Sequence, residues 1–120
     1  MNSAVPELHV VPGRLLLCRR RDLVPHSGVC VLMNEEQIAL YYFPGDAVPL
    51  YAVSNWDPLG QANVLSRGIV GDLKGHLVIA SPLYKHHYNL ATGQCLEDET
   101  VRIRTYPVLL DGDQVFLLTS

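Results

Sequence analysis

A chain of 120 residues is long enough for one domain with a real core, and 48% hydrophobic against 18% charged residues argues against disorder. A net charge of −3 supplies no global positive field for phosphate, which excludes nucleic acid as a main partner. Apolar stretches such as Val29–Met33 and Val78–Ala80 fall far short of the roughly 20 residues a membrane helix needs, and Met1–Pro12, interrupted by Glu7 and His9, has no signal-peptide pattern.

From Leu8 onward the chain is a series of short β-rich runs divided by turn residues, the pattern of an all-β sandwich or barrel. Strands are expected at about Leu8–Val11, Leu15–Cys18, Gly28–Met33, Gln37–Phe43, Leu50–Ser54, Leu77–Ala80, His86–Asn89, Val101–Leu109 and Gln114–Leu118. Gly68 and Gly71 lead into a further strand, which also removes any phosphate-loop reading of these glycines. Only single helical turns are expected, around Arg20–Leu23 and around Gln61–Ser66, the second closed by a Gly68 cap. Near the C-terminus, Val101, Ile103 and Thr105 alternate with Arg102 and Arg104, and Asp111-Gly112-Asp113 supplies a hairpin turn.

Cys18, Cys30 and Cys95 are odd in number, widely spaced and set in apolar segments, so they read as buried free thiols suited to a reducing cytoplasm, with a Cys18–Cys30 disulfide as the alternative. His86 and His87 are adjacent on a strand and therefore face opposite ways, one packed and one exposed, which argues against a shared metal ion. His9, His26 and His76 read as surface histidines. Arg19-Arg20-Arg21 and Glu97-Asp98-Glu99 read as solvated loop edges, or else as charges that steer a partner. Asp46 and Asp57 stand beside glycine or proline, where aspartate closes turns through its own backbone. Trp56 is a packing residue or, on a loop, an interface anchor.

Two loops organise the rest. Ser54-Asn55-Trp56-Asp57-Pro58 is followed by Val64-Leu65-Ser66-Arg67-Gly68, then by Ala80-Ser81-Pro82-Leu83-Tyr84-Lys85, by Tyr88-Asn89-Leu90 and by Thr92-Gly93-Gln94-Cys95. This order resembles a Rieske domain, in which a Cys-x-His loop, a Leu-Ser-x-Gly turn and a Cys-Pro-x-His loop precede an aromatic strand and a Thr-Gly turn. The resemblance places Asn55 and Asp57 at the first ligand pair and Ser81 and Tyr84 at the second, so the thiolates and imidazoles of a [2Fe-2S] centre are all replaced.

Within that superfamily the chain resembles the small subunits of bacterial NAD(P)H-dependent nitrite reductases from about Asp22 to Leu118. The most distinctive stretches are Val24-Pro25-His26-Ser27-Gly28-Val29-Cys30, Asn55-Trp56-Asp57-Pro58, Val64-Leu65-Ser66-Arg67-Gly68-Ile69, Ala80-Ser81-Pro82-Leu83 and Cys95-Leu96-Glu97-Asp98-Glu99. The resemblance implies a Rieske-like antiparallel β-sandwich over residues 15–120, preceded by a partly flexible extension over residues 1–14. It further implies a cytoplasmic enzyme that takes electrons from NADH or NADPH and reduces nitrite to ammonium. FAD, sirohaem and a [4Fe-4S] cluster would then belong to a large catalytic subunit, and this chain would hold no cofactor, metal or catalytic residue.

The loops are expected to dock on that subunit through Trp56, Leu59, Leu83 and Tyr84, with Asp57 and Lys85 as polar rim contacts. Three alternatives stand beside this reading. The loop residues would merely cap turns, with another face meeting the partner; Asp57, Tyr84 and His86 would recruit an unusual metal; or the chain would be a free-standing interaction or regulatory module for another oxidoreductase.

Overall fold

The computed structural model describes residues 10–11, 13–83 and 86–119. Its strands are β1 (Val10–Val11), β2 (Arg14–Arg19), β3 (Gly28–Met33), β4 (Glu36–Tyr42), β5 (Leu50–Ser54), β6 (Trp56–Asp57), β7 (Ala62–Asn63), β8 (Ile69–Leu73), β9 (His76–Ala80), β10 (His87–Asn89), β11 (Val108–Asp111) and β12 (Gln114–Leu118). Helical structure among the described residues is confined to 3-10 turns at Arg20–Asp22 and Leu65–Arg67. No helix among them is long and apolar enough to cross a membrane.

The strands form antiparallel sheets in the orders β1-β2-β12-β11, β3-β4-β5 and β10-β9-β8, with β6 and β7 as a small separate hairpin. The sandwich is three sheets deep, and β4 explains why. Its run Ile38-Ala39-Leu40-Tyr41-Tyr42 is apolar without alternation, as a strand buried on both faces must be. Ile38, Leu40 and Tyr42 pack with Leu50, Ala52, Val115 and Leu117 on one side. Ala39 and Tyr41 pack with Phe43, Val53, Leu65, Ile79 and Tyr88 on the other.

The expected Gln114–Leu118 strand and its tight turn are present, with Asp111 opposite Gln114 and Gly112 at φ +59°. The expected long strand Val101–Leu109 is not. Regular pairing begins only at Val108, because the preceding segment changes neighbours: Arg102 bridges Gln94, Thr105 bridges Val53, and Pro107 lacks a ladder donor. Gly68 closes its 3-10 turn as expected, its N–H donating to the Leu65 carbonyl at 2.9 Å, but in an ordinary extended conformation at φ −74° and not a left-handed one. A side chain there would collide with the Ala80 carbonyl and Ile79, and close packing therefore requires the glycine. The three cysteines are free, but Cys30 is exposed on the edge strand β3, whereas Cys95 is buried and Cys18 half-buried. Burial, and secondarily Asp22, pushes the Cys18 thiol up to about 11.

Candidate functional site: a carboxylate between two loops

The Asn55–Asp57 loop leaves the end of β5, and the second loop joins β9 to β10. Asn55 is 2% exposed and fully engaged. Its backbone N–H donates to the Gln37 carbonyl at 3.0 Å, and its own carbonyl accepts from Leu65 N–H at 3.1 Å. Its side-chain amide donates to Gln37 Oε1 at 2.9 Å and lies 3.6 Å from Cys30 Sγ, while its Oδ1 accepts from Ser66 N–H at 2.6 Å. The residue thus fastens the 3-10 turn to the central sheet. Tyr41, whose hydroxyl donates to the Leu65 carbonyl, holds the same turn from within the core, and burial pushes its phenol pKa up.

Asp57 is entirely buried. Its carboxylate accepts from Ser81 Oγ at 2.6 Å, from the Tyr88 hydroxyl at 2.8 Å and from its own loop's Leu59 N–H at 3.1 Å. His86 Nε2 lies 2.9 and 3.0 Å from the two carboxylate oxygens. Burial is the largest single influence and disfavours the charge. Hydrogen bonds from Ser81, His86, Tyr88 and the Gly60 backbone together outweigh it and hold the Asp57 pKa below the ordinary carboxylate value. An ionised carboxylate only accepts, so His86 Nε2 carries a proton. The Tyr88 phenol is pushed up, first by burial and then by its bond to Asp57. His86 and Tyr88 also meet edge to face, with ring centroids 5.3 Å apart.

The second loop is closed on itself as well. Ser81 N–H donates to the His86 carbonyl at 2.8 Å, and Ser81 Oγ accepts from Leu83 N–H at 3.2 Å. Gly60 sits where the two loops touch. A side-chain carbon there would lie 2.6 Å from Leu83 and 2.9 Å from Asp57 Oδ2. Next to this network, His87 Nδ1 lies 2.6 Å from Glu97 Oε2 and its backbone N–H donates to Glu97 Oε1 at 2.7 Å.

These positions correct part of the sequence reading. Asp57 does make the expected turn bond, to Leu59, but it cannot be a rim contact because no part of it reaches the surface. Trp56, Leu59 and Leu83 are 45%, 40% and 46% exposed, as interface anchors require. Tyr84 and Lys85 lie outside the described residues. His86 and His87 do face different surroundings, one buried and one half-buried. Of the three groups named as an alternative metal set, Asp57 and His86 meet, with His86 Nε2 directed at the carboxylate.

The sequence reading missed the roles of His86, Tyr88 and Gln37 in holding the loops. These partners lie 18 to 31 residues from Asn55 or Asp57, and no local pattern announces them.

A model of the Rieske-like [2Fe-2S] domain family matches residues 15–117. The nitrite reductase (NADH) small subunit of Escherichia coli K12 is 39% identical over 90 residues, covering 75% of this chain and 82% of its own. A crystal structure described as an NADPH nitrite reductase small subunit superposes with a TM-score of 0.83 at 48% identity, covering 88% of this chain and 98% of its own. A protein of Klebsiella oxytoca named nitrite reductase [NAD(P)H] large subunit is 38% identical over 97 residues, which span 80% of this chain but only 10% of that one.

A Rieske-type centre takes two thiolates on one iron and two imidazoles on the other. Asn55, Asp57 and Ser81 offer neither, and their polar atoms are committed to bonds within the protein. The residues present do not fit such a centre. With its three-sheet scaffold, its two mutually fastened loops and these relatives, the chain belongs to the Rieske-like domain family and, within it, to the small subunits of NAD(P)H nitrite reductase.

Proposed function

We propose that the chain is a cofactor-free subunit that docks on and supports the large catalytic subunit of a cytoplasmic NAD(P)H nitrite reductase reducing nitrite to ammonium. One observation carries this reading. The gap between the two loops is spanned by a buried carboxylate whose oxygens accept bonds from Ser81, His86, Tyr88 and Leu59. In place of a redox centre, this network is a rigid support for a surface.

On that surface Trp56, Leu59 and Leu83 offer apolar and aromatic area from a fixed backbone, which keeps the ordering cost of docking low. Tyr84 and Lys85 are proposed to extend it. FAD, sirohaem and the [4Fe-4S] cluster would sit on the large subunit, and the electrons would come from NADH or NADPH. The Klebsiella oxytoca match supports the pairing, since a stretch similar to this chain lies within a much longer protein that bears the large subunit's name.

Reconstitution of nitrite reduction with the large subunit, with and without the chain, tests the proposal. Turnover is expected to rise when the chain is added, and the purified chain is expected to be colourless and free of iron. An iron-loaded, coloured chain would overturn the cofactor-free reading. Unchanged affinity for the large subunit in both Trp56→Ala and Leu83→Ala would overturn the docking face.

A further inference from the structure

The most exposed large apolar side chain among the described residues is Ile69, at 75%, and it belongs to neither loop. Register places it precisely enough to define a surface. Ile69 pairs with Ala80 and Ala80 with His87, so the three stand in one row on the same face of the β10-β9-β8 sheet. The opposite face of this sheet is spent on the core through Val70, Ile79 and Tyr88.

The row forms the floor of an open groove of about 530 Å³, completed by Arg67, Ser81 and Pro82. Pro82 leads directly to Leu83, and Leu83 meets Gly60 beside Leu59, so the groove adjoins the loop tip. Arg67 makes no ion pair among the described residues, whereas the acids that touch lining residues are already engaged, Asp57 with Ser81 and Glu97 with His87.

We infer that this groove is the second half of the docking surface and receives from the large subunit an apolar side chain flanked by a carboxylate, the first seated on Ile69 and the second paired with Arg67. The inference rests on the docking reading above. A loop tip alone offers a few separate anchors, whereas tip and groove together form a contiguous patch with an apolar centre and a charged rim, the anatomy of a specific interface. A cation at such a rim acts on association rate and on salt dependence.

The test measures binding of the full-length chain to its purified large subunit across a range of salt. Ile69→Asp and Arg67→Glu are each expected to weaken binding about tenfold or more. Arg67→Ala is expected to flatten the salt dependence of the association rate. Trp56→Ala reports on the tip independently. Val48→Asp, in the bend that precedes Leu50 at the end of β5 away from the loops, should leave affinity unchanged, and thermal melts should show all four sites folded as in the parent chain.

If Trp56→Ala weakens binding while Ile69→Asp and Arg67→Glu do not, the groove is overturned and the docking tip stands. Loss at Ile69 and Arg67 with no effect at either Trp56→Ala or Leu83→Ala would uphold the groove and overturn the tip. Weakening at Val48 alone would move the interface to the opposite end and overturn both, as would a failure of the parent chain to bind.

Discussion

The two ends of β5 are built on different principles. Toward Leu50, the central sheet is held by side chains with no polar obligations: Leu40, Leu50, Ala52, Val115 and Leu117 fill space between sheets. Toward Asn55, stability depends on directed bonds, with one amide and one carboxylate each reaching several partners. An apolar core tolerates exchange so long as volume is kept. A buried polar network tolerates almost none, because an isosteric change can reverse the sense of a hydrogen bond. The difference explains how directed bonds can fix the shape of a loop pair: a buried amide and a buried carboxylate each hold several partners at once.

The sharpest way to break this comparison is Asp57→Asn, which preserves shape and removes the charge. The amide nitrogen replaces one of the two oxygens and so points a donor either at Ser81 and His86 or at Leu59, His86 and Tyr88, all groups that already donate, and the loss should be about 3 kcal/mol in urea denaturation. A loss below about 1 kcal/mol would mean that the network is ornamental.

The same site gives a pH signature. The folded pKa of Asp57 lies below its unfolded value of about 3.9, so its contribution is complete above that value and is lost as pH falls through the folded one. Stability of the parent chain should therefore drop on the acid side of about pH 4 more steeply than that of Asp57→Asn.

A smaller effect is expected at Asn55→Ala, which frees Ser66 N–H and Gln37 at a cost of about 1–3 kcal/mol. Hydrogen exchange at the Ser66 amide should accelerate in that variant while amides of β4 stay protected. At the other end, Leu40→Met should cost less than about 1.5 kcal/mol and leave affinity for the large subunit unchanged. If Leu40→Met proved as damaging as Asp57→Asn, the contrast between the two ends would fail.

How much of this was legible in the sequence follows the same divide. The strand Glu36–Tyr42 and the hairpin turn at Gly112 are local matters of side-chain pattern and backbone freedom, and both can be read from neighbouring residues. Beside Pro58, Asp57 reads as a turn residue, and its bond to Leu59 is indeed local. Its bonds to Ser81, His86 and Tyr88 span 24 to 31 residues and exist only once two loops have been brought together by the sheets beneath them. Strands β6 and β7 were likewise unreadable, being two residues each and formed around that contact. Cys30 shows the converse error: an apolar stretch suggests burial, but β3 is an edge strand with its Cys30 and Leu32 side turned outward.

Gly60 gives this arrangement its scale. The space beside its Cα is bounded by Leu83, part of the exposed apolar surface, and by the Asp57 carboxylate. Exposed apolar surface and buried charge therefore meet at this one residue. A methyl group added at Gly60 would press on both together, so Gly60→Ala displaces the outer face and the inner anchor in one step.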